Sequence, residues 1–545
     1  MSETNLPGAS PVGPQPGALR RMRWWVPAVI AALVITNLIR LRVTPEVDAL
    51  TRNFYSMMTV AGSIPLLLLW WVFLTRLPWR TRLIGFGVAV LVGGTLFSLV
   101  RIDGSDGYGR PRYVWSWTPR KTGEVGEFKP VTARELAALQ PALDYPAYLG
   151  RERSGVVTGI QLERDWATHP PKEHWRHPVG LGWSAFAVSG SRAITQEQRG
   201  ENELIVGYDL ASGRQLWAHT NVARFSEPMG GDGPRATPTI AGERVYALGA
   251  TGILDCLEAA TGRLIWTRDT LKENGLPNAP FGKSSSPLVV DDLVVVTGGM
   301  ARKSTVLAFR SEDGAPAWQA GHDEASFASP ALFTVGDRRQ ILSINASSVT
   351  GHDPKDGRIL WEYAWANNKW PKCAQPVLLE GGRIALSASF NAGCVLLQVT
   401  AGSDGHCSVT EVWKTRNLKS GFSNLVARDG FLYGIDDGIL VCVDLATGER
   451  KWKDGRYGHG QILLVGDLLL VQTERGPVVL VEANPTEYRE VARLPALSAK
   501  TWNTPALAGE FLLVRNDQEA ACYKLPLRAK GPEVLRSAAE AGARP

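Results

Sequence analysis

The sequence predicts an all-β fold, an eight-bladed β-propeller of four-stranded antiparallel blades, preceded by three transmembrane α-helices. Three observations predict it. Tryptophans at 217, 266, 318, 361, 413 and 452 recur at intervals running from 452−413 = 39 to 318−266 = 52 residues. Most are reached through one phrase, an acidic residue, then a small or polar residue with Gly, then Trp, of which Asp444-Leu-Ala-Thr-Gly-Glu-Arg-Lys-Trp452 is the fullest copy. Three apolar runs without an acidic residue crowd into the chain before residue 101. A repeat of roughly 40 to 50 residues is the signature of a propeller blade, and apolar runs of about 20 residues cross a bilayer.

Taken in order, residues 1–19 are rich in Pro and Gly and are expected to form a disordered tail. The anchor, 20–101, holds candidate spans at 24–39, 57–74 and 83–100, with Trp24, Trp25, Trp70, Trp71 and Trp79 at their ends like interfacial belts. Arg20, Arg21 and Arg23 precede the first span, and Arg76, Arg80 and Arg82 fill the loop between the second and third. Arg40, Arg42 and Arg52 fall in the intervening loop and weaken the bias, but it favours a cytoplasmic amino terminus. Three spans then place the rest of the chain on the periplasmic side of an inner membrane.

Charge follows topology. Residues 1–112 hold twelve Arg and five acidic residues, 12−5 = +7, so the remainder carries 6−7 = −1. A nearly neutral propeller gives no footing for nucleic acid; the partners expected are the membrane and a periplasmic protein.

Residues 102–172 read as a connector. Thr132-Ala-Arg-Glu135 resembles a capping box opening a short helix through Gln140, and Tyr113, Trp115 and Trp117 are expected to pack on the ring or rest at the bilayer surface. The propeller, 173–528, is built of apolar strand runs such as 252–257, 305–309 and 438–443, each followed by an Asp/Thr-Gly turn and a Trp strand. One indole per unit can bury a large area between neighbouring blades. Trp413 closes a weaker copy, and a degenerate one runs from 482 to 491 without Trp. After residue 501 only three strands remain, while an orphan strand sits at 174–179, so the ring closes by pairing the first strand with the last three and leaves no exposed edge. The count is eight, or seven if the degenerate unit is not a blade. Residues 529–545 are expected to fray.

Cysteine usage is structural. Cys256 and Cys442 stand two residues before the acidic residue of the repeat, and Cys394 and Cys522 fall in equivalent strands, which marks small buried hydrophobes. Cys373 and Cys407 are the pair to inspect for a disulfide. No Cys-x-x-Cys, haem-attachment or zinc spacing occurs, and no metal site is expected.

The units at 209–217, 258–266, 353–361 and 444–452 resemble the repeat of pyrroloquinoline-quinone (PQQ) dehydrogenases and of their non-enzymatic relatives, BamB of the barrel-assembly machinery among them, over about residues 147–528. For an enzyme the resemblance implies PQQ on the propeller axis, Ca²⁺ held by acidic and Asn ligands, and an Asp base. No such set matches here, so no catalytic residue is assigned. The ring, 525−173 = 352 residues, is close to the scaffold type. The expected function is a binding or assembly scaffold, with a PQQ-dependent dehydrogenase of alcohols or sugars, passing electrons to membrane quinone, as the alternative.

Inner strands begin after each Trp and its loop, and their openings line one mouth of the channel. These openings are polar, and Glu197, Arg235, Lys283, Gln375, Asn424, His459, Gln461, Trp502, Asn503 and Arg515 are the candidate ligand-binding residues. Arg235, Lys283 and Arg515 are expected to converge on an anion such as a quinone carboxylate or peptide terminus. Glu197 has the alternative of an exposed salt bridge, and His459 of a rim hydrogen bond. A closed ring must also satisfy its buried strand ends with polar side chains.

Overall fold

Each repeat folds into a third strand, a tight turn and a fourth strand that ends a blade. The computed structural model describes residues 23–44, 47–125, 144–366, 371–390, 392–402 and 405–528. Eight antiparallel sheets follow one another. Blades 1 to 7 begin at Ala187–Ser189, Thr239–Ala241, Leu288–Val290, Ala331–Val335, Val377–Leu379, Val426–Arg428 and Gln461–Val465. Blade 8 takes Ala506–Ala508, Phe511–Arg515 and Glu519–Lys524 from the end of the chain and its outer strand, Lys172–Pro178, from the front. The degenerate repeat is a true blade, ending in Glu490–Leu494, so the ring has eight blades rather than seven. Strands such as Leu293–Thr297 and Leu468–Gln472 are buried throughout, because neighbouring blades cover both faces; they therefore read as apolar runs rather than alternating.

The tryptophans explain the repeat. Each indole reaches into the turn of the following blade: Trp217 Nε1 donates to Ala259 O at 3.2 Å, Trp266 to Ser311 O at 3.1 Å, Trp318 to Pro354 O at 3.0 Å, Trp413 to Leu445 O and Trp452 to Asn484 O. Trp175 of the closing strand does the same to Leu210 O of blade 1 at 2.8 Å and is a further member of the series. The turn Gly lies under the ring: a Cβ on Gly213, at φ 69°, would stand 2.5 Å from Trp175. Trp361 departs from the rule, donating instead to Gln340 Oε1 at 2.6 Å, since blade 5 has long outer strands in place of the Thr-Gly turn.

A register shift beside the fourth strand recurs in every blade, next to Leu480, which faces Ala492, in blade 7 and next to the residue that faces the Trp in the other seven. That facing residue is often small: Gly207, Cys256, Ala308, Gly351, Cys442 and Cys522. Three cysteines thus fill a position that must leave room for an indole. Cys394, although buried, pairs with Thr415 and lies outside this register. All six cysteines are free thiols, so Cys373 and Cys407 are not joined.

The chain divides into two compact units, one holding the described residues up to Ile102 with Tyr113–Thr118, the other Asp103–Arg112 and the described residues from Pro119 onward. In the first, α1 (Trp25–Val43), α2 (Ala49–Leu69, continued by a π-helical turn Trp70–Leu74) and α3 (Trp79–Leu99) are each long and apolar enough to cross a membrane. The second helix starts earlier than residue 57 because Asp48 caps it, accepting from Thr51 N at 2.8 Å; Arg52 lies inside the helix, not in a loop. Trp115 and Trp117 are exposed and stack on each other, 5.0 Å apart at 6°. The tails and the helix expected at 132–140 lie outside the described residues.

Candidate functional site

The polar openings of the inner strands form a belt around the axis. Ala185 N donates to Thr237 Oγ1 (3.2 Å), Thr237 N to Ser286 Oγ (2.9 Å), Ser286 N to Ser329 Oγ (2.9 Å) and Ser329 N to Gln375 Oε1 (3.2 Å). Gln375 N continues to Asn424 Oδ1 (2.9 Å), Asn424 Nδ2 to Gln461 Oε1 (3.1 Å), Gln461 Nε2 to Trp502 O (3.2 Å), and Asn503 Nδ2 returns to Ser184 O (2.8 Å). One link leaves each blade for the next. Gln375, Asn424 and Gln461 are bonded in series, Asn503 joins blade 8 to blade 1, and all four are spent on closing the ring.

The charged candidates are held separately. Burial pushes the Lys283 ammonium down to about 7, and its Nζ donates to Thr297 O and Oγ1, both at 2.8 Å, and to Gly298 O. Arg235 donates to Gly231 O and Gly233 O and lies 4.5 Å from the Phe225 ring. Arg515, 1 % exposed, donates to Thr195 Oγ1, Gln196 O and Gly180 O at 2.7–2.9 Å. Each cation is consumed by its own set of acceptors rather than turned to a common anion. Glu197 is fully buried, not in an exposed salt bridge, accepting from Gly180 N, Arg199 Nε and Tyr208 Oη. Burial raises its pKa, but Arg199 and Arg515 outweigh that and hold the carboxyl below the usual range.

Two segments of the connector close the axis. Residues 144–157 lie at the end where inner strands finish: Asp144–Tyr145 pairs with blade 1 and Val156–Val157 runs parallel to blade 7. Pro146 O accepts from Ile240 N of blade 2, Arg153 donates to Ser286 O and Pro287 O beside blade 3, and Tyr148 Oη accepts from Asn424 Nδ2 before blade 6 at 2.7 Å. A segment touching blades 2 and 6, and 3 and 7, on opposite sides of an eight-membered ring, crosses its centre.

At the other end the tip of the hairpin formed by Val100–Ser105 and Pro111–Trp115 lies in the mouth. Gly104 N and Ser105 N donate to Pro228 O and Met229 O ahead of blade 2, and Gly107 N to Glu474 Oε1 of blade 7 at 2.5 Å. Tyr108 packs edge-on to His459, 5.1 Å between centroids. Glu474, 7 % exposed, also accepts from His459 N (2.9 Å) and Trp502 Nε1 (3.0 Å). Lys500 sits 4.8 and 4.0 Å from the rings of Trp183 and Trp502. The chain then follows the same face, with Thr122 O accepting from Gly200 N and Lys121 paired to Asp517 at 2.7 Å.

Of the residues that meet the plug and the hairpin tip at these contacts, Asn424, His459 and Trp502 were among the sequence candidates. Glu474 and Lys500 lie in a turn between middle strands and in a late loop, where inner-strand openings give no signal. Tyr148, Arg153, Gly107 and Tyr108 belong to the stretch that reads as connector.

A PQQ–Ca²⁺ pair needs several oxygen ligands around the metal and open space on the axis. The buried mouth carboxylate, Glu474, is committed to three N–H groups, Glu197 to three donors, and Asn424 and Asn503 to the belt. With the hairpin tip in the mouth, these residues do not fit the group.

Fold and site together define a PQQ-repeat β-propeller whose axis is filled by its own chain. The family described as outer membrane protein assembly factor BamB matches residues 172–454. The chain belongs to that family. It is 22 % identical to the outer membrane protein assembly factor BamB of Bordetella pertussis over 350 residues, covering 62 % of this chain and 80 % of that protein. A shorter likeness, 28 % over 120 residues, links it to quinohemoprotein alcohol dehydrogenase ADH IIB of Pseudomonas putida, over 21 % of this chain and 17 % of that one. The quinohemoprotein alcohol dehydrogenase structure from Comamonas testosteroni shares the fold, with a TM-score of 0.52, 12 % identity, and coverage of 74 % of this chain and 84 % of that one.

Proposed function

We propose that this chain is a scaffold, anchored in the inner membrane with its propeller on the periplasmic side, that binds other proteins during their assembly. The observation that carries the proposal is the closed axis: where a quinoprotein of this fold would hold its cofactor, belt, plug and hairpin tip satisfy one another, so that polypeptide occupies this axis. Membership of the BamB family supports the reading, and the Arg residues flanking the helices support the orientation.

The experiment is site-specific photo-cross-linking in intact cells from Val222, which is 91 % exposed in the loop after blade 1. A discrete protein adduct, reproduced with the purified partner, is expected. Absence of any adduct together with PQQ-dependent dye reduction by the purified chain would replace the scaffold with the dehydrogenase.

A further inference from the structure

We propose that the propeller mouth is a recognition site for a Gly-aromatic turn of polypeptide, and that residues 106–109 occupy it in cis as a displaceable ligand; this rests on the scaffold reading and names its binding site. The mouth addresses the tip chiefly through main chain. Pro228 O and Met229 O take two N–H groups at 2.8 and 3.0 Å, Lys500 Nζ donates to Ser105 O at 3.0 Å, and Glu474 takes Gly107 N. Two side chains are read: Ser105, whose Oγ donates to Met229 O at 3.0 Å, and Tyr108, its ring against His459 and its hydroxyl against Gly438. One position admits none: a Cβ on Gly107 would stand 2.5 Å from the His459 ring.

Backbone hydrogen bonds, one aromatic slot and one glycine are the means by which proteins recognise peptides, and nothing in them requires the turn to belong to this chain. The site also survives emptying. Two of the three donors to Glu474, His459 N and Trp502 Nε1, come from the propeller itself and stay when the tip leaves. Segment 144–157, by contrast, is strand-paired into blades 1 and 7 and is a permanent plug. Tethering gives the tip an effective concentration on the order of millimolar, so a modest intrinsic affinity keeps it seated while a better-fitting turn can displace it.

The test uses the full chain in mild detergent and a fluorescent peptide with the sequence of residues 101–113. Gly107→Val in the chain should eject the tip, and the peptide should then bind at least about tenfold more tightly than to the unsubstituted chain. The same peptide carrying Gly107→Val should bind neither, and adding Glu474→Gln to the Gly107→Val chain should weaken binding. Equal affinity for both chains, or none for the Gly107→Val chain, overturns the proposal. Should that variant fail to fold, hydrogen exchange on the unsubstituted chain decides: amides of Gly104, Ser105 and Gly107 are expected to exchange roughly 100-fold faster than those of Val188 and Leu464, and equal protection overturns displaceability. Cross-linking from Val222 does not involve the tip, so the scaffold reading is judged independently.

Discussion

Glu203 stands 3 % exposed at the start of the third strand of blade 1, with Ala250 N donating to its Oε1 at 3.0 Å. Burial, which outweighs that hydrogen bond and the nearby Arg235, pushes its carboxyl up to about 7. The sign follows: a carboxyl whose folded pKa exceeds its unfolded value contributes stability that is fully present below the unfolded pKa and is lost as pH rises through the folded one. Stability should therefore fall between about pH 4.5 and 7, by up to roughly 3 kcal/mol from this group. Glu203→Gln should abolish that component and raise the melting temperature by a few degrees at pH 8, with little change at pH 4; thermal scans at fixed rate across this range check it. Single residues of this kind were the least legible part of the sequence. Glu197 and Glu203 are both buried by folding, and their shifts differ because Arg199, Arg515 and Tyr208 outweigh burial at the first, whereas at the second burial outweighs a single backbone N–H and the nearby Arg235.

At the scale of the blade, the unit of stability is the indole of one sheet seated on the turn of the next. Gly213 has both a positive φ and no room for a Cβ beneath Trp175, whereas Gly242, at φ 60°, has nothing within 4 Å of its would-be Cβ. Gly213→Ala should cost about 2–4 kcal/mol, strain and overlap together, and Gly242→Ala only about 1 kcal/mol; chemical denaturation of the two variants separates the contributions. This level was almost wholly readable in advance, because a repeat writes its geometry several times. The spacing of Trp and Thr-Gly predicted blade number, closure and the inter-blade use of the indoles. It did not reveal that Trp175 belongs to the series, since closure separates that strand from its own turn motif, nor that the recurring cysteines are small because an indole faces them.

At the scale of the whole molecule, the ring of polar openings reads from the sequence as a mouth able to take a ligand, and the structure turns it inward. A belt running from Ser184 through Asn503 closes on itself, and Tyr148, Arg153 and the tip at Gly107 reach the axis from a stretch that resembles a spacer. Sequence periodicity cannot place a connector across a channel, because the contacts are specified by residues of several distant blades rather than by any local pattern. The axis of this propeller holds its own chain. This is tested most directly by titrating the purified full-length protein with PQQ in the presence of Ca²⁺ and following cofactor absorbance together with dye-linked oxidation of alcohols and aldoses. No saturable binding and no turnover are expected; saturable binding accompanied by oxidation of any of these substrates would show an axis open to the cofactor.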